Sequence, residues 1–199
     1  MEIRYRNIVL RDMVEADIAD YVRWFTEETQ WSRFDAPWEP IESDAGSERE
    51  SWSAYYQSVK DLPAGVRRWK FEIDCHGRHI GCVSSYPIDA QFEWVDEIRD
   101  DRKVYRAIGI DICERDVWGK GIGTDALCAF INYYLELGVE ALYMQTWSGN
   151  VRMIRCGEKL GFVECNRNPQ MRHVEGKWYD GLTFQLDLDR FHKFLAENP

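Results

Sequence analysis

Three glycines spaced two apart, in Trp118-Gly119-Lys120-Gly121-Ile122-Gly123-Thr124, are the residues of this sequence best suited to holding a charged ligand. Glycine tolerates left-handed backbone and lets a ligand approach the main chain closely. The stretch before these glycines reads as a strand, because Ile108, Ile110 and Ile112 alternate with Gly109 and Asp111. The stretch after them reads as an amphipathic helix, with Ala126, Leu127, Phe130, Ile131 and Leu135 at three- and four-residue spacing. A strand, a tight loop and a helix start aim backbone N–H groups and the positive end of the helix dipole at one spot, where a phosphate is the natural guest. The competing reading is a tight turn that caps an ordinary helix.

Two other glycine loops are excluded. A Walker-type loop needs Lys-Ser/Thr after its last glycine, and Gly123 is followed by Thr124 and Asp125. The dinucleotide fingerprint needs a glycine three residues after Gly121, where this chain has Thr124, and it usually opens its domain.

Composition bounds the rest. A chain of 199 residues with 45% hydrophobic residues suits one domain with a sizeable core, spanning 1–199. No long apolar run is present and the N-terminus has no signal-peptide pattern, so a cytoplasmic protein without membrane contact is expected. The formal net charge of −10 argues against nucleic acid and favours cationic partners, unless acidity serves only solubility. Six cysteines without a C-x-x-C pair read as buried thiols in a reducing compartment, and no metal is expected.

Several elements would position the glycine loop. Ile8–Met13 reads as a strand and Asp12 as a helix N-cap, with Glu15 in capping-box spacing ahead of a helix ending near Glu28. Thr29 to Asp44 is irregular and carries Trp31, Phe34, Asp35, Trp38 and Glu39 between prolines, either as a plug over the core or as the wall of a cleft. Ser47–Lys60 is a second helix, and Trp69–Cys75 and Ile80–Tyr86 form an antiparallel pair. Asp89–Lys103 reads as an acidic loop. After the glycine-loop helix, capped by Gly138, come a strand at Ala141–Trp147, a helix from Val151 to Leu160, a short strand at Phe162–Cys165, a charged loop at Asn166–Gly176, a strand at Lys177–Leu188 and a helical tail at Phe191–Leu195.

Two motifs in this order carry a resemblance. One is Trp118-Gly119-Lys120-Gly121-Ile122-Gly123; the other is Asn150 with Glu158-Lys159-Leu160-Gly161-Phe162 after it. Together they resemble the GNAT acyltransferase superfamily over essentially the whole chain, and in particular the branch of ribosomal-protein N-terminal acetyltransferases. Trp118 stands where the family usually has Arg or Gln. The resemblance implies an α+β fold, a mixed α/β arrangement in which a central, mostly antiparallel twisted sheet splays between two parallel middle strands and is flanked by helices.

It also implies acetyl-CoA as co-substrate, with no metal. The amides of Trp118, Gly119, Lys120, Gly121, Ile122, Gly123 and Thr124 would cradle the pyrophosphate. The strand edge at Ile110, Ile112 and Cys113 would pair with the pantetheine arm, and a backbone N–H there would stabilise the oxyanion. Asn150 would contact the pantetheine or serve as a plain N-cap. The reaction would be direct acetyl transfer to an amine: a small cationic amine, an antibiotic, or a peptide or protein N-terminus. Asp111 stands where many relatives place an acidic base, with a solvent-facing carboxylate as the alternative; Glu114 is a second candidate base or a loop residue. Trp31, Asp35, Trp38 and Glu39 would bind the acceptor. Many relatives carry a Tyr as general acid four residues before the Gly-Phe pair, where this chain has Gly157, so a non-catalytic acyl-CoA-binding or sensor module is the alternative. A homodimer remains open beside a monomer.

Overall fold

The computed structural model describes residues 1–95, 105–139 and 141–198, and in it the chain forms two compact units. The first comprises Met1–Val83 with Ile110–Ala129; the second comprises Ser84–Gly109 with Phe130–Pro199. The predicted acidic loop at Asp89–Lys103 lies in large part outside the described residues.

The first unit begins with strands β1 (Glu2–Tyr5) and β2 (Ile8–Arg11), an antiparallel pair in register from Glu2↔Arg11 to Tyr5↔Ile8. β1 has no apolar alternation strong enough to announce it. Helix α1 (Asp17–Thr26) comes next and starts later than expected. Asp12 is not its N-cap: its carboxylate accepts from the Arg68 guanidinium at 2.9 and 3.0 Å and from the terminal amine at 2.5 Å. Asp17 takes over the local turn instead, accepting from the Val14 N–H at 2.8 Å.

After a 3-10 turn (Thr29–Arg33), Asp44 caps helix α2 (Ala45–Val59), accepting from the N–H groups of Gly46 and Ser47. Strand β3 (Lys70–Cys75) pairs with β2, and β4 (Arg78–Ile88) and β5 (Tyr105–Ile112) each pass from one unit to the other. Within the first unit the strand order is β1-β2-β3-β4-β5. Its aromatic core gathers Tyr21, Trp24 and Trp31 with Met13, Ile18, Val22 and Cys113, and Trp52, Tyr55, Tyr56 and Trp118 close around them.

In the second unit β5 pairs in parallel with β6 (Leu142–Trp147), in register from Arg106↔Leu142 to Ile108↔Met144. The strand order there is β4-β5-β6-β8-β7, with β7 (Phe162–Val174) and β8 (Lys177–Leu186) forming a long antiparallel hairpin. The charged stretch at 166–176, read from sequence as a loop, is thus largely strand. Hydropathy misses it because neither face of this edge strand is buried over most of its length; backbone pairing and ion pairs such as Arg167 with Glu164 and Asp180, both at 2.7 Å, hold it.

Helix α3 (Ile122–Glu136) crosses between the units, and Gly138 ends it with φ 76°. Helices α4 (Val151–Lys159) and α5 (Leu188–Glu197) complete the second unit. Gly161 (φ 95°) lies against α5: a Cβ there would meet the Phe191 nitrogen at 2.8 Å.

Candidate active site

The glycine loop is built as its spacing predicts. β5 runs into Cys113, a 3-10 turn covers Arg115–Val117, and α3 begins at Ile122. Gly119 and Gly121 have φ of 75° and 83°, conformations that L side chains rarely adopt. The first intrahelical bond of α3 runs from Asp125 N–H to the Gly121 carbonyl at 3.1 Å. The amides of Ile122 and Gly123 precede it, and helix geometry supplies them no carbonyl. Gly119, Lys120 and Gly121 are exposed, and no heavy atom lies within 4 Å of where a Cβ of Gly119 or Gly121 would stand. Thr124 sits half-buried in the same first turn.

Trp118 anchors this loop to the strand before it. Its indole N–H donates to the Ile112 carbonyl at 2.8 Å, its ring meets Phe34 edge-on, and the Arg115 guanidinium lies 5.9 Å from the ring centroid. Cys113 N–H donates to the Ile80 carbonyl of β4 at 2.9 Å. Strand alternation then turns the backbone of Ile110 and Ile112 away from β4. Cys113 is therefore a poor source of an oxyanion N–H, and Ile110 and Ile112 carry that expectation alone.

Asp111 is not a solvent-facing carboxylate. It is half-buried on β5, and burial, with repulsion from Asp35 second, raises its pKa from 3.8 to about 7, against an opposing pull from Lys70. Asp35 is raised in turn, first by burial of its carboxyl group and then by Glu39, although the residue as a whole is exposed. Asp35 thus repels charge on Asp111, and Glu39 repels charge on Asp35.

Of the other candidates, Trp38 donates its indole N–H to Glu39 at 3.1 Å. Trp31 departs from expectation: it is 7% exposed, packs in the aromatic core and donates to the Trp24 carbonyl at 3.0 Å. The aromatic loop is therefore a plug at its start and a rim further on. Glu114 is engaged as well, accepting from Arg23 at 2.6 Å and from the Trp24 indole at 2.9 Å, which ties the end of β5 to α1 and does not suit a base.

Sequence reading missed the groups behind Asp111. Lys70 and Glu72 of β3, His79 and Cys82 of β4, and Tyr21 of α1 form a buried polar cluster. Tyr21 donates to Glu72 at 2.5 Å; the two ring nitrogens of His79 face Glu72 at 3.1 Å and Asp20 at 3.2 Å. The available signal was the alternation of Lys70, Glu72 and Asp74 along a strand whose other face, Phe71 and Ile73, is core. Asp17, Asp20 and His79 bring donor atoms within 4.8 Å of one another, but Arg11 and Arg23 already pair with the two carboxylates.

In the second unit, Asn150 is buried and caps α4, accepting from Met153 N–H at 3.0 Å. At position 157 the thioether end of Met144 fills the space a side chain would take: a Cβ on Gly157 would meet Met144 Cε at 2.4 Å. Nearby, Tyr143 is core, Ser148 Oγ accepts from Asp180 N–H at 3.0 Å, and Cys156 of α4 is a half-buried free thiol.

The family model "Acetyltransferase (GNAT) domain" matches residues 7–163. A curated relative, the L-methionine sulfoximine/L-methionine sulfone acetyltransferase of Pseudomonas aeruginosa, is 34% identical over 74 residues, which is 37% of this chain and 43% of the relative. The match thus spans less than half the length of that relative. Among solved structures, the ribosomal-protein-S5-alanine acetyltransferase from Vibrio fischeri superposes with a TM-score of 0.69 at 18% identity, covering 93% of this chain and 95% of that one. The protein yncA from Salmonella typhimurium, solved with acetyl-CoA, gives 0.64 at 21% identity over 92% and 95% of the two chains. These likenesses show the fold, and the family match extends across both units: the chain belongs to the GNAT acetyltransferase family.

Proposed function

We propose that this chain is an N-acetyltransferase that moves the acetyl group of acetyl-CoA directly to a primary amine. One observation carries the mechanism: in the same unit as the glycine loop, β5 presents a carboxylate, Asp111, whose pKa stands near 7. A general base is most effective when its pKa lies near the working pH. Asp111 takes one proton from the incoming ammonium, the freed amine nitrogen attacks the thioester carbonyl carbon, and the C–S bond breaks as the second nitrogen proton passes to the departing sulfur, leaving the amide and free CoA thiol.

The loop amides from Gly119 to Thr124 hold the pyrophosphate, with the α3 dipole adding favourable potential, whereas the Trp118 amide expected among them already donates to the Arg115 carbonyl at 3.1 Å. The β5 edge at Ile110 and Ile112 receives the pantetheine arm, and Asn150 adds a contact to its capping role. Asp35, Glu39 and Trp38 receive a cationic acceptor, be it a small amine, an antibiotic or a peptide N-terminus. The Pseudomonas relative's named substrates carry an α-amino group, which is acceptor chemistry of the same kind. Residues 1–199 act as one domain, a reading supported by β4, β5 and α3 passing between the units. The six free cysteines suit the cytoplasm as its place of work.

The experiment is acetyl-CoA incubated with a panel of primary amines, with free thiol release as the readout, alongside calorimetric titration of acetyl-CoA. Amine-dependent thiol release supports the reading; no binding of acetyl-CoA refutes it. The second reading, an acyl-CoA-binding module without transfer, is favoured by Gly157 standing where many relatives carry a tyrosine. It predicts binding with no thiol release for any amine.

A further inference from the structure

A loop of glycines has no side chains with which to hold itself in place. No heavy atom lies within 4 Å of where a Cβ of Gly119 or Gly121 would stand, and both residues have the left-handed backbone that glycine alone adopts freely. The position of the loop is set at its two ends. At the far end α3 is buried through Ala126, Leu127 and Cys128. At the near end stand Val117, which is buried, and Trp118. Trp118 is gripped from two directions. β5 takes its indole N–H at the Ile112 carbonyl, and the aromatic loop takes its ring: Phe34 meets it edge-on, with centroids 5.4 Å apart and planes at 88°.

A second contact joins the same two stretches. Arg115 Nη1 donates to Gln30 Oε1 at 2.7 Å, and the same guanidinium lies over the Trp118 ring. Gln30, Arg115, Trp118 and Phe34 thus close a clasp, two residues from the turn before the glycines and two from the aromatic loop. Neither half slides. On one side Trp31, between Gln30 and Phe34, is sunk in the aromatic core with its indole N–H on the Trp24 carbonyl, and Phe34 N–H donates to the Trp31 carbonyl at 3.0 Å. On the other side Glu114, next to Arg115, is held by Arg23 and Trp24 of α1. Phe34 immediately precedes Asp35, and Trp118 immediately precedes Gly119. The clasp therefore joins the stretch read as acceptor wall to the stretch read as cofactor cradle, at the residue before each begins.

We propose that Phe34 is a positioning residue for acetyl-CoA: packed edge-on against Trp118, in a clasp closed by Gln30 and Arg115, it fixes the near end of the glycine loop in the geometry that receives the pyrophosphate. The aromatic loop then serves the cofactor as well as the acceptor. The inference rests on the reading of Gly119 to Thr124 as the acyl-CoA cradle. Backbone donors act together on one ligand only when they are held within about 0.5 Å of the productive geometry by packed neighbours. An edge-on aromatic pair is worth about two- to tenfold in such an equilibrium.

The test needs no acceptor and uses two readouts on the whole protein. One is solvent exchange of the Trp118 indole hydrogen, its resonance identified by its loss in Trp118→Phe; the other is calorimetric titration with acetyl-CoA. Phe34→Leu combined with Gln30→Ala severs both contacts of the clasp. Phe34→Tyr combined with Gln30→Glu keeps a ring edge against Trp118 and an acceptor oxygen toward Arg115. The severed variant is expected to exchange the indole hydrogen about tenfold faster and to bind acetyl-CoA about tenfold more weakly, while the conservative variant stays within about twofold of wild type in both. Should the severed variant not fold, Gln30→Ala alone, at an exposed position, carries the comparison with an expected loss of about twofold. Wild-type acetyl-CoA affinity in the severed variant overturns the proposal, as does an equal loss in the conservative variant. A wild-type protein that protects the indole hydrogen yet binds no acetyl-CoA overturns instead the reading of the glycine loop as an acyl-CoA cradle, and the cofactor role of Phe34 falls with it.

Discussion

The indole N–H of Trp118 donates to the carbonyl oxygen of Ile112 at 2.8 Å, so the residue that replaces the family's usual Arg or Gln closes the glycine loop onto the strand that precedes it. Trp118→Phe keeps an aromatic ring against Phe34 and removes the donor. A lost hydrogen bond of this kind costs about 1 kcal/mol of stability. Acetyl-CoA affinity is expected to fall several-fold with it, because the cradle is no longer fixed to β5. Thermal melts and calorimetric titration check both parts.

Gly121 and Gly123 separate folding from binding. Alanine at 121 meets φ 83° and is expected to destabilise the protein by about 1–2 kcal/mol. Alanine at 123 sits inside α3, where its Cβ would make ordinary contact with Ile110 Cδ1 at 3.8 Å. Helix propensity then favours it by up to about 1 kcal/mol. Gly123→Ala should therefore melt no lower than wild type yet bind acetyl-CoA about tenfold more weakly, as expected where a ligand must approach the main chain of the first helical turn closely. Normal acetyl-CoA affinity in this variant would show that the phosphates lie elsewhere.

The rate should track the ionisation of Asp111. With its pKa at about 7, kcat/KM rises with pH through neutrality and levels above it, as the carboxylate form takes over. Asp111→Asn should lose roughly 10²–10⁴ in kcat/KM, the usual contribution of a positioned base, and the rise through neutrality should vanish with it. A pH–rate profile of the two proteins decides this.

Stability should show the same group with the opposite sense. The folded value of Asp111 lies above its ordinary 3.8, so between about 4 and 7 the folded state holds a proton that the unfolded chain has released. Stability contributed by this group falls as pH rises through that window and stays reduced above it. Asp111→Asn removes the buried charge. It should resist urea better than wild type at pH 8, by on the order of 1–3 kcal/mol, and match it at pH 4.

The parts of this protein visible in its sequence are those with a local signature. The strand–glycine loop–helix unit rests on isoleucine alternation, three glycines and the helical recurrence after Thr124, all within one short stretch. Asn150 and Gly161 mark the two ends of α4 through capping chemistry, again locally. The features that escaped depend on contacts distant in sequence. Asp12 had the spacing of an N-cap, but Arg68, 56 residues on, takes its carboxylate. Trp31 had the look of a cleft wall and is core because Trp24 and Phe25 on α1 receive it. The rings around the Lys70 ammonium, Tyr21, Trp52 and Tyr55, come from two helices, a coincidence that no spacing along β3 encodes. The β7–β8 hairpin is held by backbone pairing, which hydropathy does not record.

Gly81 carries no functional group and belongs to neither motif. Its φ is 151°, and a Cβ there would stand 1.9 Å from the Asp111 carbonyl oxygen and 2.9 Å from its carbonyl carbon. Asp111 therefore owes its position to a missing side chain on the neighbouring strand. The smallest possible enlargement, one methyl group, must push β4 and β5 apart at the very residue that titrates. Among natural variants of this chain, position 81 should tolerate change as poorly as position 111, and an alignment weighted toward reactive side chains would pass it over.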